Sequence, residues 1–223
     1  MRPQQPEPHV CGHINRQKAI MNLDYVVFGL GNPGSRYAFT RHNIGFIALD
    51  LLAQEKRASF SNSGLGKKID AEVCEVTLAD KKLLLVKPLT FMNLSGQSLS
   101  KLYQLHSHLR ELPLICLHDE VDLPLGKIRM KMGGGDAGHN GLKSLRATLG
   151  HGDYYRIRMG VGRPSPESKI EMVDHVLQNF KKEDEEALMK ELAQTTEVLE
   201  TFILHGLQKA QAAASLEKPV PKA

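Results

Sequence analysis

Apolar positions along this chain recur with two alternating periods. The stretches 23–30, 70–77, 82–87, 112–118, 126–132 and 154–161 are short runs rich in Val, Ile, Leu and Tyr, and each predicts a β-strand. Between them the spacing lengthens to that of a helix. Over 43–57, Ile44, Ile47, Leu51 and Leu52 share one face, and over 95–106 Leu99, Leu102, Tyr103 and His106 do the same. Helical spacing returns at 138–149 and at 183–208, where Leu188, Leu192, Thr195, Leu199, Phe202 and Ile203 form a stripe opposite Glu and Lys. Strands alternating with helices predict a single α/β domain, 23–208, built on one mixed twisted sheet with helices on both faces. Residues 1–22, with Pro3, Pro6 and Pro8 and no apolar period, read as a mobile extension or an over-long start ahead of Met21. The tail 209–223 is expected to fray from Ala210.

Composition narrows the class. At 223 residues the chain is long enough to bury a sizeable core, and its 41% hydrophobic and 24% charged content is that of a soluble globular protein. No apolar run reaches the roughly 18 residues of a membrane span, and no secretory signal is visible. Cys11, Cys74 and Cys116 are scattered, which fits a reducing cytoplasm and no disulfide framework. Net charge is only +4, but it is unevenly spread. Between Lys127 and Lys169 nine basic residues face only Asp136, Asp153 and Glu167, a local excess of six that suits a polyanionic partner.

Several familiar signals fail on context. Gly29-Leu30-Gly31-Asn32-Pro33-Gly34 formally matches the dinucleotide fingerprint, yet Pro33 and the next eight residues read as an extended loop, and Asp50 falls inside the predicted helix 43–57. Gly138 to Ser144 lacks phosphate-loop spacing, because Leu142 stands where a glycine should precede Lys143. No Gly-x-Ser-x-Gly elbow offers a serine nucleophile, and Cys116 lies in an apolar run that predicts an inert buried thiol. Ser95 is placed to cap the helix that follows it. The His9-Cys11-His13 triple lacks supporting structure for a metal. His118-Asp119-Glu120-Val121-Asp122 could hold a divalent cation, but its side chains diverge around one turn. Asp119 serves equally well as a carboxylate that orients an imidazole, or as a turn cap before Pro124.

What remains is His42, at the junction between a glycine-rich turn and a helix, together with Asn32, Asn93 and Asn140 in other glycine-bearing loops. Asparagine in a turn commonly serves the turn itself. Beside a histidine and an aspartate, such amides can also steady a developing oxyanion without changing charge.

Linked blocks then carry a resemblance. They are Gly29–Gly34 with Tyr37 and Thr40-Arg41-His42-Asn43; Lys87-Pro88-Leu89-Thr90-Phe91-Met92-Asn93-Leu94-Ser95-Gly96; His118–Gly126; Gly133-Gly134-Gly135 with Gly138–Ser144; and Arg156–Pro164. In order and spacing, from about residue 23 to 208, the chain closely resembles bacterial-type peptidyl-tRNA hydrolase. Ala137 departs from the pattern at a position where glycine is common, and residues 1–22 lie outside it.

The resemblance implies cleavage of the ester joining a peptide to the 3′-terminal ribose of tRNA, with no cofactor and no metal. It implies His42 as general base on water, Asp119 as its orienting carboxylate, and Asn32, Asn93 and Asn140 as substrate-positioning amides. Tyr37 and Met92 would line the substrate groove. Lys131 and Arg158, and more weakly Arg129, would meet tRNA phosphate. The chemistry agrees: an imidazole titrating near neutrality can take a proton from water for roughly 10²–10⁴-fold acceleration. A carboxylate on Nδ1 would leave Nε2 free. One amide at the oxyanion is worth about 3 kcal/mol. Asn140 is favoured for that role, because it opens a helix. The partner expected is peptidyl-tRNA, with no membrane, and the protein is expected to be a cytoplasmic monomer. The alternative is a non-catalytic RNA-binding module on the same fold.

Overall fold

The computed structural model describes residues 22–165 and 167–216. The strands are β1 (Tyr25–Gly29), β2 (Ala71–Leu78), β3 (Lys81–Pro88), β4 (Leu114–Glu120), β5 (Ile128–Met132) and β6 (Tyr155–Gly160). They form one sheet in the order β2-β3-β1-β4-β6-β5. β3, β1, β4 and β6 run parallel, and antiparallel β2 and β5 close the two edges. Every residue of β4 is buried, as a central strand covered on both faces requires, whereas edge strand β2 alternates.

The helices are α1 (Ile44–Glu55), α2 (Leu65–Ile69), α3 (Ser95–Leu105), α4 (Asn140–Leu149), α5 (Met172–Val176) and α6 (Glu185–Ser215). Strand alternation sorts the core into two layers. Val27, Leu85, Ile115, Leu117, Ile157 and Met159 pack with Ile44, Leu49 and Leu52 of α1 and Leu192, Leu199 and Phe202 of α6. Val26, Phe28, Leu84, Val86 and Cys116 pack with Leu99 and Leu102 of α3 and Leu142 and Leu145 of α4. The expected architecture is therefore the one observed.

Three expectations are corrected. α6 does not end near 208; it turns at Gly206 (φ 78°) and continues to Ser215. Ala210 and Ala214 are buried, Gln211 donates to the Met130 carbonyl (3.2 Å), and this last segment covers the otherwise open edge of β5. Ser95 is not the N-cap of α3 but its first residue, because a 3₁₀ turn at Met92–Leu94 runs straight into the helix, and its hydroxyl donates to the Met92 carbonyl at 2.9 Å. The loop after Pro33 is not extended but folds into 3₁₀ turns at Ser35–Tyr37 and Arg41–Asn43. Helices α2 and α5, each five residues, are too short for periodicity to reveal. The His9-Cys11-His13 triple lies outside the described residues.

Candidate active site

The carboxyl ends of β3, β1 and β4 meet where the chain leaves β1 for strands on either side of it, the position at which open α/β sheets form clefts. A cavity of about 720 Å³ opens there. α1 begins hard against this end. A Cβ on Gly45 would come within 2.5 Å of the Leu117 carbonyl oxygen, so only glycine lets the turn carrying His42 settle over β4.

His42 Nδ1 lies 2.8 Å from Asp119 Oδ1. A carboxylate at that distance accepts a hydrogen bond from Nδ1–H, which fixes the tautomer that leaves the Nε2 lone pair free. Asp119 is buried, and burial alone would raise its pKa. Electrostatic attraction to the His42 and His139 rings, with their hydrogen bonds, outweighs that and holds it well below the usual carboxylate range. His139 Nε2 lies 2.8 Å from the same Oδ1. His139 also caps α4: its Nδ1 accepts from the amides of Gly141 (3.1 Å) and Leu142 (3.4 Å), so the proton sits on Nε2 and is donated to Asp119. The polar atoms of His42, Asp119 and His139 lie within 4.8 Å of one another, and His42 Nδ1, Asp119 Oδ1 and His139 Nε2 are joined by these hydrogen bonds.

The asparagines are held by different means. Asn32 Oδ1 accepts from the Met92 amide at 2.9 Å, and Asn43 brackets the Asn32 backbone through its carboxamide, at 2.9 Å on each side. No hydrogen bond reaches Asn32 Nδ2 among the described residues, so that group is available as a donor. Asn93 is exposed beside buried Met92, and exposed Asn140 is the first residue of α4, as expected.

Of the residues singled out in the sequence, His42, Asp119, Asn32, Met92, Asn93, Asn140, Lys131 and Arg158 all line this cavity. Two do not. Tyr37 closes a 3₁₀ turn, where its carbonyl accepts from Thr40 Oγ1 (2.9 Å) and its ring lies under the Arg36 guanidinium. Arg129 sits on edge strand β5 and reaches around it to the Ala214 carbonyl (3.2 Å), lining a separate smaller cavity.

The basic wall is Lys131, Arg156 and Arg158, side by side on β5 and β6, where Lys131 pairs with Arg156. Burial, then the neighbouring Arg158 and Arg156 charges, lowers the Lys131 pKa. Arg158 is tied to Glu120 by Nε at 2.8 Å. The facing wall is apolar: Phe91, Met92 and Val121, with Met172, Val173, Val176 and Leu177 from α5 and just beyond it. Apart from Met92, sequence reasoning missed that wall, and it missed His139, whose only signal was its place just ahead of a helix.

A cleft at the carboxyl ends of parallel strands, floored by a carboxylate between two imidazoles, belongs to the open-sheet α/β class. The family model described as peptidyl-tRNA hydrolase matches residues 26–222, and the chain belongs to that family. Peptidyl-tRNA hydrolase of Rickettsia bellii is 47% identical over 157 residues, covering 70% of this chain and 81% of that one. The one from Geotalea daltonii is 41% identical over 188 residues, with 82% and 92% covered. The crystal structure of peptidyl-tRNA hydrolase from Acinetobacter baumannii superposes with a TM-score of 0.74 at 31% identity, covering 88% of this chain and 96% of that one.

Proposed function

We propose that this protein hydrolyses the ester between a peptide and the 3′-terminal ribose of tRNA, returning tRNA from aborted translation, with His42 and Asp119 activating the water. One observation carries the mechanism: the 2.8 Å contact from His42 Nδ1 to a buried carboxylate kept ionised leaves Nε2 as a general base at the cavity wall. Water gives its proton to Nε2 as its oxygen attacks the ester carbonyl. Collapse of the tetrahedral intermediate breaks the bond to the ribose O3′, which takes the proton back from the imidazolium.

Asn32 Nδ2 and the carboxamides of Asn93 and Asn140 supply neutral donors for the oxyanion and the peptide backbone. Asn140 adds the positive end of α4. The two walls sort the substrate's halves, the peptide along Met92 and the α5 side, the phosphates along Lys131 and Arg158. The protein acts as a monomer in the cytoplasm. Buried, unpaired Cys74 and Cys116 suit a reducing compartment, and among the described residues no helix is long and apolar enough to cross a membrane.

The test is turnover of a defined peptidyl-tRNA with chelator present. His42→Ala should lower kcat at least a hundredfold while tRNA affinity stays near normal. An unchanged rate removes His42 as the base, and binding without any wild-type turnover favours the non-catalytic RNA-binding alternative.

A further inference from the structure

Arg156 is the most buried cation among the described residues, at 1% exposure, and no carboxylate pairs with it. An ionised group taken out of water is costly unless hydrogen bonds replace its hydration. Backbone carbonyls do so here: Nη1 donates to Gly135 (2.7 Å), and Nη2 to Gly134 (2.8 Å) and Gly152 (3.3 Å). Its far side lies over the Tyr154 ring, 4.6 Å from the centroid. With both Nη groups engaged and almost no exposed surface, Arg156 is not free to take up a phosphate as Lys131 and Arg158 are placed to do.

Arg146 from α4 supports the same point. Its Nη2 donates to the Gly134 carbonyl at 2.8 Å, and its Nε lies 3.3 Å from Asp136 Oδ1. Gly152 makes room for this convergence. A Cβ there would come 2.9 Å from the Gly134 oxygen and 3.2 Å from each guanidinium.

The loop so held has no strand ladder of its own. Its backbone takes positive φ at Gly133, Gly134, Ala137 and Gly138, and at Ala137 (φ 46°) a Cβ makes that conformation strained. It lines the cavity through Gly135, Asp136, Ala137 and Gly138. Its last turn closes with the His139 amide donating to the Asp136 carbonyl at 2.8 Å, and His139 then bonds Asp119. A continuous chain of contacts thus runs from Arg156 through the loop to the carboxylate that holds His42.

We infer that Arg156 is a positioning residue: with Arg146 it latches loop 133–138 onto the sheet, and through that loop it sets where His139 and Asn140 stand relative to Asp119 and His42. Two Nη groups on two successive carbonyls need the planar fork of arginine, which lysine lacks. The consequence for turnover rests on the hydrolase reading given above, whereas the latch itself does not.

The test compares Arg156→Lys, which keeps the charge and loses the fork, with wild type. Amide hydrogen exchange over 134–139 should accelerate at least tenfold. On a defined peptidyl-tRNA, kcat should fall at least tenfold, while KM keeps its salt dependence because the charge remains. Should Arg156→Lys fail to fold, Arg146→Gln at the half-exposed outer side of the latch takes its place, with about threefold effects in the same directions. Wild-type exchange in the folded variant overturns the latch. Faster exchange with wild-type kcat overturns the positioning role. If wild type itself does not turn over peptidyl-tRNA, the hydrolase reading fails, and exchange still decides the latch.

Discussion

His139 caps α4 with one ring nitrogen and holds Asp119 with the other, on the same oxygen that accepts from His42. The two rings stand 4.9 Å apart. Because the Nδ1 lone pair is occupied by the helix amides, His139 acts as a neutral donor and not as a second base. Removing it should cost in two separable ways. His139→Asn can still cap the helix but no longer reaches Asp119, so kcat should drop about tenfold, as expected for a lost hydrogen bond to a charged group. His139→Ala should lose in addition about 1 kcal/mol of stability with the cap. Equal melting temperatures for the two variants would contradict the cap, and full activity in His139→Asn would contradict the donor.

Lys131 and Arg158 are the half-buried, solvent-reaching part of the basic wall, yet Arg158 is already shared with Glu120 at 2.8 Å. Removing Lys131 or Arg158 with alanine should raise KM and reduce its salt slope by about one phosphate contact. Glu120→Gln should do the opposite, lowering KM at low salt, because the guanidinium is released to the substrate. KM measured against salt for these variants decides it. A Glu120→Gln enzyme with wild-type KM at low salt would mean that the ion pair does not compete with the substrate.

The fold was legible in the chain because β1, β3 and β4 carry uninterrupted apolar runs and α1, α3 and the first part of α6 hold one period throughout. The end of α6 was not legible, since Gly206 breaks the phase and the Ala-rich stretch beyond it shows no stripe until β5 is there to be covered. In the site, His42 and Asp119 were legible through their places at element junctions. His139 was not, because its two bonds are to a helix end and to a residue on β4, and neither leaves a spacing signal. Tyr37 and Arg129 sit among the right neighbours in sequence, but a tight turn and the sheet edge point them elsewhere.

His118 should make the protein acid-sensitive. Its ring is buried, Nδ1 donates to the Asp119 carbonyl at 2.8 Å, and Nε2 has no partner among the described residues. Burial, then the nearby His139 ring, pushes its pKa down to about 3 from 6.5. The unfolded chain therefore takes up a proton below about pH 6.5 that the folded protein refuses until about pH 3, and stability falls as pH drops through that window. His118→Asn retains a donor for the carbonyl and removes the titration. Urea unfolding at pH 7 and pH 4 should show wild type losing on the order of a few kcal/mol more than the variant. Parallel losses would rule out His118 as the source.

Glu191 should act in the opposite sense. It lies fully buried on α6, where Oε2 accepts from the Gly126 amide at 2.8 Å and Oε1 has no hydrogen-bond partner among the described residues. Burial pushes its pKa well above the ordinary 4.5, and the amides of Gly126 and Gly160 offset only part of that. The folded state keeps the proton that the unfolded chain releases above pH 4.5, so the stabilisation is complete in acid and is lost as pH rises toward the folded value. Glu191→Gln preserves the shape and an acceptor for Gly126 without any charge to bury. Its melting temperature should exceed that of wild type at pH 8 by roughly 2–4 °C for each kcal/mol gained, and the difference should shrink toward pH 5. A difference that stays constant with pH, or widens in acid, would show that the carboxyl at this position is ionised in the folded protein.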